Sequence, residues 1–244
     1  MERRGILVLL VSFLCVAALA GPTFALPTSP VTSVQYNNPG SPYQLAYITV
    51  NGTHETVYTG PYGLLVPASG SVVSPWMCFD AGTTVSSSSW DAYVANTETA
   101  GTILGNPDKA KMFAYLANQW DGTAPSKSNR AINLAMWEIM ADYGPSGFSD
   151  LTTTLETGSF KTTTDVDVVK KYLVDALAAL NSPQTYEAVF LLPGGFTDGI
   201  WHFNDSETQP FVASVPEPGT LLLLGSGLTG LGLFGWRKRS RVKR

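Results

Sequence analysis

The sequence predicts an α+β fold, an antiparallel β-sheet or barrel-like sandwich carrying an inserted block of two to three α-helices. Three observations predict it. Short apolar runs punctuated by turn residues fill positions 44–80. A 3.6-residue apolar period takes over across 108–180. Short strand-like runs then return after Tyr186.

Taken in order, residues 26–43 are rich in Pro, Ser, Asn and Gly and read as a loose lead-in to a single globular domain expected over 44–213. Gln44–Val50 and the resumption at Val57-Tyr58 flank Asn51-Gly52, the pair that favours a tight hairpin. Gly60-Pro61-Tyr62-Gly63 reads as a further turn. Ser71–Asp80 reads as a strand with a strongly apolar second half, and Pro75 predicts an edge or a bulge there. Asn106-Pro107-Asp108 then starts a helix running to Trp120, with Ala110, Phe113, Leu116, Ala117 and Trp120 on one face. A second helix is predicted over Ser126–Tyr143, with Ile132, Ala135, Met136, Ile139 and Met140 on one side and Gly144-Pro145 as its stop. A third covers Thr164–Leu180, with Asp165 and Asp167 in its first turn. Asn181-Ser182-Pro183 ends it. A strand over Tyr186–Leu192, a turn at Pro193-Gly194-Gly195 and a last strand holding Phe211 and Val212 complete the domain.

The two ends differ in kind from the domain between them. Arg3 and Arg4 precede an apolar run from Ile6 to about Ala20, and Thr23-Phe24-Ala25 offers small residues at the spacing a cleavage enzyme needs. This layout predicts a signal peptide over 1–25, because the apolar core is short for a membrane span. An uncleaved N-terminal anchor is the alternative. At the other end, Pro216-Glu217-Pro218 leads into Leu221-Leu222-Leu223-Leu224 and a Gly-rich apolar run to Trp236. As a helix, Thr220 to Trp236 reaches roughly 25 Å, a marginal span of a bilayer core. Six Lys and Arg and no acid follow it, which predicts a cytoplasmic C-terminus.

Pro-Glu-Pro, a short apolar helix and a basic end together resemble the PEP-CTERM sorting signal, here 214–244. The resemblance implies an exosortase-type processing enzyme as partner, transient anchoring in the inner membrane, and cleavage near Pro216, Glu217 and Pro218. It also implies delivery to the cell surface or to an exopolysaccharide matrix. A plain membrane anchor, with Pro-Glu-Pro as a stiff spacer, is the alternative.

Between the ends, residues 26–215 hold seven Lys and Arg against 17 Asp and Glu, a formal charge of −10. Such a surface is a poor partner for nucleic acid. The chain has two cysteines, and Cys15 leaves with the signal, so Cys78 is the one thiol of the domain and no disulfide framework is expected.

Cys78 carries the one constellation with chemical potential. Trp76-Met77-Cys78-Phe79-Asp80 ends an apolar strand, and Ile132-Asn133-Leu134-Ala135-Met136-Trp137 lies on a helix. In short patches over 45–200 these segments resemble the thioester domains of bacterial surface adhesins, in which a strand cysteine meets a helical glutamine. The resemblance implies a thiolate attacking a carboxamide, expelling ammonia and leaving an activated acyl group for an amine on another surface. Here Asn133, one methylene shorter, stands where the family has glutamine, and neither Gln119 nor Gln184 is placed to substitute. The other reading makes Cys78 a small buried hydrophobe and Asn133 a hydrogen-bonding partner at a helix–strand joint.

Trp90 and Trp201, close to turn residues, are candidates for a glycan-facing surface, whereas Trp120 and Trp137 read as core. His54 and His202 lack metal-ligand spacing, and no nucleophile elbow or phosphate-cradling loop is present. Acids such as Asp80 and Glu138 are scattered along the chain. No metal site, no cofactor and no enzymatic activity is therefore expected. The expected role is structural or adhesive, with a thioester adhesin and a carbohydrate-binding module as the competing classes.

Overall fold

The computed structural model describes residues 31–36, 44–66, 71–83, 88–120, 126–148, 154–197, 200–203 and 208–215. Leu26–Val215 forms one compact unit. The expected signal peptide and tail helix, together with Pro216-Glu217-Pro218, lie outside the described residues. Among the described residues no helix is long and apolar enough to cross a membrane.

Six antiparallel strands close into a barrel, in the order β10 (Phe211–Ser214), β5 (Ser71–Cys78), β4 (Tyr62–Val66), β1 (Val31–Tyr36), β6 (Trp90–Ala95) and β8 (Ala188–Thr197). The β10–β8 ladder, which pairs Phe211 with Leu191 and Ser214 with Ala188, shuts the ring and so removes the open edges a six-stranded sheet would expose. β9 (Ile200–Phe203) extends β8 outside the ring. A second sheet sets β2 (Gln44–Val50) between β3 (Thr53–Thr59) and β7 (Phe160–Thr162). The β2–β3 hairpin turns at Asn51 and Gly52, both at positive φ (49° and 85°), the conformation that Asn-Gly adopts at low steric cost.

The predicted lead-in needs correcting, because 31–36 is a strand with ladders to both β4 and β6. Its Val31, Val34 and Tyr36 are too few to outweigh the turn-forming residues around them, and only the two neighbouring strands make it one. The expected turn at Pro193-Gly194-Gly195 also needs correcting. β8 runs straight through it and changes partner there, from β6 up to Pro193 to β9 from Gly194. A proline lacking its N–H is tolerated at such a ladder end. Pro75 does sit in an irregular stretch of the β4–β5 register, between Tyr62↔Trp76 and Leu64↔Val73, but on a strand paired on both sides.

The inserted block holds α1 (Thr97–Ile103), α2 (Pro107–Asn118), α3 (Lys127–Asp142), the short turn α4 (Thr154–Thr157) and α5 (Val166–Ala179). Each of the first three starts on a capping side chain. Asn96 accepts from Thr99 N–H at 2.8 Å, Asn106 from Asp108 and Lys109 N–H at 3.1 and 3.2 Å, and Ser126 from Asn129 N–H at 3.0 Å. α2 packs on β8 and β10, and α5 on α2 and α3. Sequence periodicity predicts one apolar face for α3, yet every residue from Ala131 to Ile139 is buried. Helices cover one side of α3 and strands β3, β5 and β7 the other, so it becomes the shared core of both sheets.

Candidate functional site

Cys78 closes β5, with Phe211 of β10 as its ladder partner. The next residue pins the strand end: Phe79 stacks on Phe113 of α2 at 4.5 Å and meets Phe190 of β8 edge-on at 6.0 Å. Pairs of this kind add about 0.5–1.5 kcal/mol beyond the area they bury.

Asn133 lies in the middle of α3 with no exposed surface, where a carboxamide must find partners. Its Nδ2 donates to the Cys78 carbonyl at 2.6 Å and lies 3.7 Å from Cys78 Sγ, while its Oδ1 accepts from Gly60 N–H at 2.9 Å. Gly60 is required by its neighbour, since a Cβ there would collide with the Tyr62 ring. The Tyr62 hydroxyl in turn donates to the Tyr58 carbonyl at 2.7 Å, folding the β3–β4 connection onto itself. One amide thus ties α3 to the end of β5 and to the β3–β4 connection.

Burial pushes the Cys78 thiol from its ordinary 9.0 up to about 11. Hydrogen bonds from Tyr62, Asn133 and Trp137 favour the thiolate and offset part of that rise, and the Asp80 charge adds to it. With such a value roughly one molecule in 10⁴ carries the thiolate at pH 7. The arrangement has the parts of an acyl transfer, with sulfur beside a carboxamide and the Gly60 N–H on the oxygen that would become an oxyanion. Desolvation of the nucleophile and the hydrogen bonds holding both ends of the amide oppose the reaction.

The remaining sequence candidates fall elsewhere. Trp90 lies in the barrel wall opposite Val34, half-buried, its ring stacked on Phe211 at 6.1 Å and its Nε1 enclosed. That ring face is given to the core. Trp201 pairs with Phe196 in the β8–β9 ladder. Asp80 accepts from Gly82 N–H at 2.7 Å, and Glu138 is wholly buried in α3. Among the described residues no three metal-ligating side chains come together. Sequence reasoning saw Gly60 and Tyr62 only as turn residues. Nothing in their spacing points to Asn133, 73 positions away from Gly60.

Residues 214–240 match the PEP-CTERM protein-sorting motif, so Pro216, Glu217 and Pro218 fall within an established signal that indicates an exosortase-sorted exported protein. No curated protein and no solved structure matches the chain. The motif match covers the tail alone, and the resemblance of 45–200 to thioester domains gains no support from it.

Proposed function

We propose that this chain is a non-enzymatic protein of the cell surface or exopolysaccharide matrix with a structural or adhesive role. In this reading residues 1–25 are removed on export. The tail holds the protein in the inner membrane with its C-terminus in the cytoplasm until an exosortase releases it. The sorting signal carries the proposal. The acidic domain favours a soluble outer-surface existence over contact with nucleic acid or anionic lipid. Cys78 and Asn133 act as a buried clasp, because the thiol is held protonated and both ends of the amide are engaged.

The approach of Asn133 Nδ2 to within 3.7 Å of Cys78 Sγ favours one second reading, a thioester adhesin. Intact mass of the full chain, purified without reductant before and after methylamine, separates the two. An unmodified mass, with Cys78 alkylated only after unfolding, is the expected result. A deficit of one ammonia, replaced by a methylamine adduct and a freed thiol, establishes the adhesin instead. Strong hydrolysis of a matrix polymer by the purified protein overturns the non-enzymatic role itself.

A further inference from the structure

Four large apolar side chains are exposed among the described residues, and three of them sit together on the outer face of the β2–β3 hairpin. They are Leu45, Tyr47 and Tyr58, at 47 %, 62 % and 59 % exposure. The register puts them there. Leu45 pairs with Tyr58, Tyr47 with Thr56 and Thr49 with His54, so these six share one face, while Ala46 and Ile48 turn to the core. β7 widens the same face, since Lys161 pairs with Thr49. His54, Thr49 and Lys161 thus make a row across three strands, with the Thr49 hydroxyl 2.8 Å from His54 Nδ1.

The charge of this face runs against that of the domain. Residues 26–215 carry a formal −10, yet none of these strand positions holds an acid. The hairpin's one carboxylate, Glu55, pairs with Ile48 and so belongs to the opposite face. Lys161 is free to receive an anion. Every other described Lys and Arg is engaged, by Asp108, Asp165, Glu156 or Asp175, or for Lys109 by the Met140 carbonyl. A second positive site lies at the other end of β2, where Arg130 Nη1 donates to the Leu45 carbonyl at 3.3 Å. Arg130 and the exposed Lys127 share the single shielded carboxylate of Asp165, which leaves a net positive charge there. Leu45 and Thr49 are four residues apart, so the two positive ends are separated by roughly 13 Å, with the tyrosines between them. Exposed charges are screened beyond about 8 Å at physiological ionic strength, so at this strip the local sign outweighs the acids elsewhere.

These features sort the ligands. A cation is repelled at both ends. A membrane would meet far more of the acidic surface than this strip, and three cations fall short of the cluster that holds a basic segment on anionic lipid. An extended peptide takes its hydrogen bonds from a sheet edge, not from a sheet face. A sugar chain needs no backbone ladder. Its C–H faces pack on exposed rings, its hydroxyls meet Thr49, Thr56 and His54, and acidic substituents on it meet the two positive ends.

We propose that the outer face of the β2, β3 and β7 sheet binds an acidic polysaccharide, a chain bearing uronate carboxylates laid along β2 between Lys161 and the Lys127–Arg130 end. The inference rests on the matrix reading above and names its ligand class. Titration calorimetry tests it, using the full chain in a zwitterionic, sugar-free detergent with hexasaccharides of mannuronate, guluronate, galacturonate and hyaluronan as probes. Saturable binding of at least one hexasaccharide is expected, weakening as salt is added. Lys161→Glu reverses one end of the strip and should weaken that binding about tenfold or more, and Lys161→Gln about threefold. Tyr47→Ala removes an exposed ring and should weaken it about fivefold or more. All three should leave the melting temperature unchanged, because neither side chain is buried in the core. Failure of all four hexasaccharides overturns the proposal. So does binding that Lys161→Gln or Tyr47→Ala leaves unchanged, or a face that takes neutral mannohexaose or hexaglutamate as tightly as the acidic sugar. Cell fractionation keeps the two readings apart. A chain found in the matrix that binds no acidic hexasaccharide sinks the strip and spares the surface role, whereas such binding by a chain that never leaves the inner membrane does the reverse.

Discussion

At the residue scale the domain turns on Asn133, whose wholly buried amide has three neighbours. Asn133→Ala leaves the Gly60 N–H and the Cys78 carbonyl buried and unpaired, at a cost of about 2–4 kcal/mol. A urea midpoint lowered to match, with an unchanged slope, is the expected result. Cys78 makes a separate prediction about alkali. Below pH 9 its thiol is protonated in both the folded and the unfolded chain, so its ionisation leaves stability untouched. Above pH 9 the unfolded chain loses the proton while the folded chain keeps it up to about 11, so stability falls as pH rises through that window. The loss from this group is on the order of 2 kcal/mol. Burial raises Tyr115 and Tyr143 as well, and they add to the same alkaline loss. The comparison that isolates Cys78 is therefore the pH dependence of wild type against Cys78→Ala, in which the variant's decline between pH 9 and 11 should be shallower.

At the element scale the inserted helices hold the clasp at its distance, and their docking can be tested apart from it. Asp165 precedes α5 at φ 53°, a left-handed conformation that Asp and Asn tolerate better than most residues. Its carboxylate does not cap its own helix. It accepts instead from Arg130 Nε of α3 at 2.6 Å, with Lys127 Nζ at 3.5 Å. The Asp165 side chain is 9 % exposed and that of Arg130 23 %, so this pair is better shielded than a surface ion pair. Asp165→Asn keeps the backbone preference and removes the charge. It should lower stability by about 1–2 kcal/mol, seen as a reduced melting temperature that added salt does not restore. Lys109 makes a similar tie from α2, donating to the Met140 carbonyl near the end of α3 at 2.7 Å.

At the scale of the whole molecule a sealed barrel-and-helix domain is joined to a sorting signal. Replacing Pro216, Glu217 and Pro218 with alanine should leave the domain's melting temperature unchanged, because these residues follow the compact unit. It should hold the protein in the inner membrane at its unprocessed mass. Fractionation with intact mass checks both, and normal release of the altered chain would show that the motif is not the processing site.

Features written within a few neighbouring residues were legible in the sequence. The Asn51-Gly52 hairpin, the Asn106-Pro107 start of α2, the stop after α3 and the PEP-CTERM tail each depend on local backbone preference or on a contiguous motif. The α+β class followed from the change of apolar period along the chain. What only the tertiary structure decided depends on partners far apart in sequence. β1 is a strand because β4 and β6 flank it, and β8 passes through Pro193-Gly194-Gly195 because β9 takes over where β6 ends. The barrel closes because β10 reaches both β5 and β8. Asn133 and Cys78 were paired in the sequence by resemblance alone. Their hydrogen bonds, the part of Gly60 and the raised thiol arise from burial, which no local pattern encodes. The outer face of the small sheet is the extreme case, since its rings come from β2 and β3 and its cations from β7 and α3. Side chains with nothing in common along the chain acquire a shared chemistry only when the fold sets them side by side.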